Sequence, residues 1–346
     1  MLPDSLPTPT LHSANAGEPS LRWGIAGPGW IAGEFAKALR AHTAQRLVAV
    51  FSRSAERGGE FAAAHGIDRI HSSLDALVND PEVDVVYVAT PPSDHLRTGL
   101  AAIAAGKHVL IEKPITASAA EARELTDAAR AAGVLVMEAM WTRYLPQTSV
   151  IQQLLDDGVL GEITAVLADH GQSITTDPQH RLLRPELGGG ALLDLGIYPV
   201  QFSSMVLGAP TEIIASGRMT ETGVDAYSTL VLTHEGGAQS TLHSSIRART
   251  PMAGVIAGSE ASIVLDGPFY NPTTFSLLGA DYFSTPLTWS DPTDIRGFAG
   301  LSWEANAFAR FVGEARIESP VHTHDETISI LATIDEARAQ LARRGH

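Results

Sequence analysis

The segment Arg22-Trp23-Gly24-Ile25-Ala26-Gly27-Pro28-Gly29-Trp30-Ile31-Ala32 constrains this chain more than any other. Its run from Trp23 to Ala26 is apolar and predicts a buried strand, and the amphipathic stretch from Trp30 to His42 predicts a helix. Between them stands Gly27-x-Gly29-x-x-Ala32. A strand that turns through such glycines into a helix suits the pyrophosphate of a dinucleotide. Gly27 makes the tight turn, Gly29 lets backbone approach phosphate, and Ala32 lets helix and strand pack closely. Trp30, Ile31 and Ala32 then open the helix, where free N–H groups face the anion.

The same alternation continues. Runs at 46–52, 69–71, 83–89, 108–111 and 134–138 are rich in Val, Ile and Leu, and helical stretches at 54–64, 74–78, 93–105 and 118–132 separate them. Strands apolar on both faces belong inside a parallel sheet covered on both sides. With the first strand they make six, and βα alternation of six strands predicts a doubly wound α/β Rossmann domain over 21–143. Beyond Tyr144 the texture changes. Helices at 146–157 and 190–206 lie among longer β runs at 164–172, 212–219, 226–234, 239–247, 254–257 and 262–265. Thr229-Leu230-Val231-Leu232-Thr233 alternates, as a strand with one face on a core does. The expectation for 144–346 is therefore a substrate-binding α+β domain on a mostly antiparallel open sheet, ending in helices at 303–316 and 325–343. The second face of that sheet needs a cover, and a second copy of the chain is the natural one, giving a homodimer.

Composition removes several classes of function. Formal charge is −15, which makes nucleic acid and anionic membranes poor partners. There is no cysteine, so disulfides, thiolate metal sites and cysteine nucleophiles are excluded. No window carries the unbroken apolar run of a membrane span. Residues 1–20 hold Pro, Ser, Thr and Asn without a basic start or a long apolar core, so they read as a loose tail rather than a secretory signal, and the expected address is cytoplasmic. His322-x-His324-Asp325 lacks a further ligand in place. It is read as capping the last helix, and no metal is expected.

In an NAD site the second strand ends in an acid that binds the ribose hydroxyl. Here it ends Val50-Phe51-Ser52-Arg53-Ser54, with no carboxylate at the tip. Ser52, Arg53 and Arg57 suit a 2′-phosphate and favour NADP(H) over NAD(H), the alternative being two solvated arginines beside a helix start. In Ala89-Thr90-Pro91-Pro92-Ser93-Asp94-His95 the prolines shape a rigid loop at the carboxyl edge of the sheet, where ligands lie. Thr90, Pro91 and Pro92 border the cofactor there. His95 either touches nicotinamide or ribose, or is a first-turn helix residue with no role.

These segments, together with Ala105-Gly106-Lys107-His108-Val109-Leu110-Ile111-Glu112-Lys113-Pro114, resemble the glucose–fructose oxidoreductase/inositol dehydrogenase superfamily (Gfo/Idh/MocA). Met137-Glu138-Ala139-Met140-Trp141-Thr142-Arg143-Tyr144 and Gly188-Gly189-Gly190-Ala191-Leu192-Leu193-Asp194-Leu195-Gly196-Ile197-Tyr198 narrow the resemblance to the branch with dimeric dihydrodiol dehydrogenases and NADP-dependent aldose 1-dehydrogenases. The similarity runs from about Leu21 to the C-terminus.

Hydride transfer at a carbinol carbon requires a proton to leave or reach the alcohol oxygen as charge develops there. A tyrosine beside a lysine suits this, since an ammonium stabilises phenolate. Lys113 ends the fifth strand, and Tyr198 follows the triple glycine with Asp194 four residues before it, on the same helical face. The resemblance implies the same assignment, with Lys113 catalytic and Tyr198 standing where many members have histidine. Tyr198 is then the general acid/base, Lys113 the charge that tunes it, and Asp194 orients substrate or the lysine. Glu112 is a supporting hydrogen-bond partner. Trp141 and Arg143 form pocket wall, and Arg181 and Arg184 reach substrate hydroxyls or solvent. Tyr198 as a core aromatic and Asp194 as a buried helix acid remain open readings. The expected substrate is a sugar, cyclic polyol or diol. Two alternatives stand beside this one: a catalytically idle NADP-binding redox sensor, and glycoside cleavage with a recycled NAD, against which the Ser52-Arg53 tip speaks.

Overall fold

A computed structural model describes residues 2–14 and 16–344 of the chain. They divide into two compact units, one of residues 11–145 with 295–328, the other of residues up to Thr10 with 146–294 and the chain from Ser329 onward.

In the first unit the alternation read from the sequence is present: β1 (Arg22–Ala26), α1 (Trp30–His42), β2 (Arg46–Phe51), α2 (Ala55–His65), β3 (Arg69–His71), α3 (Leu74–Val78), β4 (Val85–Val88), α4 (His95–Ala104), β5 (His108–Glu112), α5 (Ala119–Ala132) and β6 (Val136–Ala139). The six strands are parallel in the order β3-β2-β1-β4-β5-β6, the doubly wound arrangement. All four residues of β4 are buried, as in a sheet covered on both faces, and each such valine contributes about 1.5–3 kcal/mol of burial. Ser54, Ser73 and Ser118 cap their helices by accepting backbone N–H groups, and Gly66 and Gly133 end two of them in the left-handed region.

The other unit contains α6 (Pro146–Asp156), β7 (Ile163–Gly171), α7 (Ile197–Leu207), β8 (Pro210–Met219), β9 (Asp225–His234), β10 (Gln239–Ser245), β11 (Gly254–Gly258), β12 (Ala261–Leu265), β13 (Phe275–Gly279) and β14 (Leu287–Trp289). Its eight strands run β14-β13-β12-β11-β7-β10-β9-β8. The sheet is antiparallel except where β7 and β10 run side by side. The runs expected from the sequence correspond to β7 through β12. β13 and β14 are short and separated by a turn-rich stretch with Pro286, so neither carries a long alternation.

Burial along β9 alternates, Leu230 and Leu232 inside and Thr229, Val231 and Thr233 half-exposed. Register lines up Val264, Val255, Leu167, Thr241, Val231 and Ile214 as one row across six strands on that half-exposed face. Leu167 and Ile214 are 45% and 47% exposed. Of the last helices α8 (Leu301–Gly313) and α9 (His324–Arg344), the first departs from the expected boundary. It belongs to the nucleotide-fold unit, because Phe308 packs 5.1 Å from Trp23, whose other neighbour Phe35 stacks on Tyr87 at 4.0 Å. The N-terminal residues also differ from a loose tail. Thr10 N–H donates to Ser149 Oγ, Gln153 holds the Thr8 carbonyl, and the His12 ring lies edge-on to Tyr144 and Phe311.

Candidate active site

Gly27 sits at φ +97°, and a Cβ there would lie 2.9 Å from the Ala89 carbonyl, so strand spacing alone demands glycine. Gly29 differs. A Cβ on it would meet nothing nearer than 4.0 Å, and its backbone is extended at φ −91°. Protein packing therefore does not require its missing side chain, whereas a phosphate approaching the start of α1 does. Ala32 is fully buried in the seam between helix and sheet. A cleft of about 200 Å³ opens here, lined among others by Gly27, Gly29, Ser52, Arg53, Arg57, Thr90 and Pro91. The Arg53 and Arg57 guanidinium groups are on exposed residues and have no hydrogen-bond or ion-pair partner among the described residues. The Thr90 hydroxyl is buried and unpartnered. Backbone room, an orphaned hydroxyl and two unpaired cations fit a phosphate-bearing dinucleotide. Trp30, 66% exposed, stands edge-on to Phe298, which stacks on Trp141 at 5.8 Å.

At the end of β5, Glu112 accepts from Tyr87 Oη at 2.5 Å and from the Lys113 N–H at 3.2 Å. Lys113 follows, half-buried. Two residues stand elsewhere than expected. His95 is 1% exposed, with Nδ1 2.9 Å from the Pro114 carbonyl and Nε2 2.7 Å from the Thr90 carbonyl. Both ring nitrogens are taken, so His95 fastens two loops and does not line the cleft. Burial pushes its pKa down against the pull of those carbonyls. Arg143 is likewise buried, its guanidinium on Glu326 and on the Val321 carbonyl rather than in the cleft wall. Pro92 is buried at the start of a short 3₁₀ turn before α4. Ile31 is half-buried on the first turn of α1.

In the sheet unit the triple glycine has a structural cause. A Cβ on Gly189 would lie 2.7 Å from the Leu182 carbonyl, and one on Gly190, at φ +116°, would lie 2.3 Å from Asp225. Asp225 Oδ2 accepts the Leu192 N–H at 2.6 Å and so fixes the start of the following helix. That helix opens with a π-helical turn, Leu192–Gly196, before α7. Asp194 lies in the wide turn, its carboxylate 3.1 Å from Arg181, and Tyr198 in the first α-turn. The turn widens just where a four-residue spacing was expected to align the two. Arg184 pairs with Glu186 instead. The buried Tyr198 ring stacks 4.7 Å from Tyr270 and lies tilted 5.3 Å from His170, and Gln172 reaches both partners. Burial, with the Asp194 charge nearby, pushes the Tyr270 phenol up.

Comparison with known proteins bears on both units. Residues 21–140 match the profile of an oxidoreductase family with an NAD-binding Rossmann fold, and 148–264 match the GFO/IDH/MocA C-terminal domain. A trans-1,2-dihydrobenzene-1,2-diol dehydrogenase of Danio rerio is 36% identical over 93% of this chain and 97% of its own. The chain belongs to the GFO/IDH/MocA oxidoreductase family. The Homo sapiens protein of the same name is 34% identical over 92% of the chain and 96% of its own. A 3-ketoreductase from Actinomadura kijaniata, solved with NADP and TDP-benzene, is 27% identical with a TM-score of 0.81, covering 93% of this chain and 98% of that one. This GFO/IDH/MocA chain is accordingly an NAD(P)-binding oxidoreductase, as the resemblance implied.

Four residues of this family member lie outside the sequence reading. Phe298, His170, Tyr270 and Glu304 come to their places only through tertiary structure. His170 left one trace, a polar residue at an inward position of β7. Glu304, fully buried on α8, has both carboxyl oxygens unpartnered. Burial, reinforced by the charge of Glu112, pushes its pKa well above the usual carboxylate range.

Proposed function

We propose that this protein is an NADP-dependent dehydrogenase/reductase acting on a carbinol or carbonyl carbon of a sugar, cyclic polyol or diol. The observation that carries the cofactor choice is the pair of unpaired guanidinium groups, Arg53 and Arg57, beside Ser52 at an acid-free strand end on the nucleotide cleft. A 2′-phosphate gains charge-assisted bonds there, whereas an NAD ribose finds no carboxylate. Gly27, Gly29 and the first N–H groups of α1 hold the pyrophosphate, with Thr90 and Pro91 along the wall. Bound there, a nicotinamide supplies the hydride acceptor or donor. Tyr198 takes the substrate hydroxyl proton on oxidation and returns it on reduction. Lys113 supplies the positive charge that favours phenolate and donates to the substrate oxygen as negative charge develops. Asp194, paired with Arg181, orients the substrate. The relatives named for diol and ketosugar chemistry support the substrate class.

The test is NADP reduction over a panel of aldoses and trans-diols. Lys113→Met and Tyr198→Phe should each lower kcat by roughly 10²–10⁴-fold while leaving nucleotide affinity unchanged. Replacing Arg53 and Arg57 by Ala should weaken NADP binding by roughly 100-fold and leave NAD binding alone. Equal loss for both nucleotides would remove the cofactor assignment. Silence across the substrate panel with NADP bound would favour the idle sensor. We further propose a homodimer formed through the half-exposed face of the eight-stranded sheet, supported by its apolar row.

A further inference from the structure

One buried set of charges in the nucleotide-fold unit has no part in the chemistry above. Glu138, on β6, is 2% exposed, and its Oε1 accepts the Ile115 N–H at 2.8 Å. Ile115 is two residues past Lys113. The other oxygen, Oε2, is 2.8 Å from His322 Nε2 and accepts from Thr327 Oγ1 at 3.3 Å. His322 Nδ1 faces Glu326 at 3.4 Å, and Glu326 pairs with Arg143. With a carboxylate opposite each nitrogen, both nitrogens donate, which is the imidazolium state. Glu138 and Glu326 are then balanced by His322 and Arg143, and the cluster is neutral. Burial opposes the histidine proton, but the two carboxylates outweigh it and hold His322 above its ordinary range. Burial likewise opposes the Glu326 charge, yet His322 and Arg143 bring that carboxyl down to about 2. A buried ion cluster stabilises a fold little more than apolar side chains of equal volume. Its members here come from β6, the turn after it, and the residues just before and at the start of α9, and through Glu138 they reach the backbone that leaves Lys113.

We propose that Glu138 and His322 are positioning residues for Lys113: they clamp the Ile115 N–H and thereby fix the backbone from which the lysine amine projects. The inference rests on the reading of Lys113 as a catalytic group. A loop freed by about 1 Å at a reacting centre costs roughly 100-fold in rate.

The full-length protein with NADP and an accepted substrate provides the test, read by kcat, NADP Kd and amide hydrogen exchange across 113–117. Glu138→Ala removes the acceptor, and kcat should fall by roughly 100-fold with Kd unchanged and Ile115 exchange accelerated. Glu138→Gln keeps an oxygen for that N–H and should restore most of kcat, a rescue that a general loss of packing does not predict. Wild-type kcat in Glu138→Ala, or no rescue by Gln, overturns the proposal. Should Glu138→Ala fail to fold, Thr327→Val removes one donor from the clamp. It should lower kcat several-fold with faster Ile115 exchange, and faster exchange at full kcat overturns the proposal. Lys113→Met separates the two readings. Full turnover there means that Lys113 is not catalytic, whereas turnover lost there but intact in Glu138→Ala removes only the clamp.

Discussion

The six-stranded sheet buries both its faces, and the eight-stranded sheet buries one. In the first, β4 is closed on every side and its unit carries ionisable groups in its interior: Glu112, Glu138, Arg143, Glu304 and His322 are all buried. In the second, β9 alternates, and the buried polar groups are mostly hydroxyls such as Ser203, Ser228, Ser240 and Ser244, with Asp225 and, within the sheet, His170 and His234. The difference teaches where each unit meets its ligand. A parallel sheet wrapped by helices offers only its strand ends, so ionisable groups gather beneath those ends. An open sheet offers a whole face, so its outward residues are free to meet another surface.

The largest effect expected is from charge placed on the two sheets in turn. Val86→Asp, at a position with no exposure in β4, should cost roughly 4 kcal/mol or more and abolish soluble folded protein. Val231→Asp, in the apolar row of β9, should change the stability of the folded chain by no more than about 1 kcal/mol yet give a monomer in sedimentation velocity. Equal damage from both would break the contrast. A second test concerns the interior acid. Burial holds the folded pKa of Glu304 well above the usual carboxylate range, so above the ~4.3 of a free glutamate the folded state holds a proton that the unfolded state has released, and stability falls as pH rises. Glu304→Gln removes that dependence. Its stability relative to the parent, from denaturant midpoints, should rise by roughly 1.4 kcal/mol per pH unit across that window.

Smaller effects separate the two glycines. Gly27→Ala should destabilise by roughly 1–3 kcal/mol, since it meets both positive φ and the Ala89 carbonyl. Gly29→Ala should leave the melting temperature alone and weaken NADP binding by about tenfold, because only the phosphate needs that space. A matched loss of stability in both would mean that Gly29 serves the fold. The smallest effect belongs to the sheet unit. Arg181→Gln breaks a half-exposed pair with Asp194 and should shift stability by less than about 0.5 kcal/mol, with its consequence confined to substrate KM.

Legibility in the sequence followed locality. Gly27, Gly29, Ser52, Arg53, Thr90 and Pro91 lie just past the ends of β1, β2 and β4, neighbours in the sheet, and the cleft gathers them. His95 and Arg143 belong to the same motifs yet turn away from the cleft, because motif spacing fixes where a backbone goes and not which neighbour takes a side chain. Residues 295–328 pack in the nucleotide-fold unit and not in the half expected for them, for a related reason. An amphipathic helix shows that it has a buried face, and only the tertiary structure supplies the partner, here Trp23 against Phe308.

By itself the sequence determined the order of strands and helices from β1 to β6, the glycine turns and the absence of an acid at the end of β2. These depend on backbone conformation and periodic burial within some twenty residues, which a linear pattern records. The tertiary structure alone decided that Glu138 and His322, 184 residues apart, lie 2.8 Å from each other beside Ile115, and that Tyr198 stacks on Tyr270, which in turn stacks on His170. Contacts between distant segments are fixed by how whole faces pack, and no local spacing encodes which side chains will then meet.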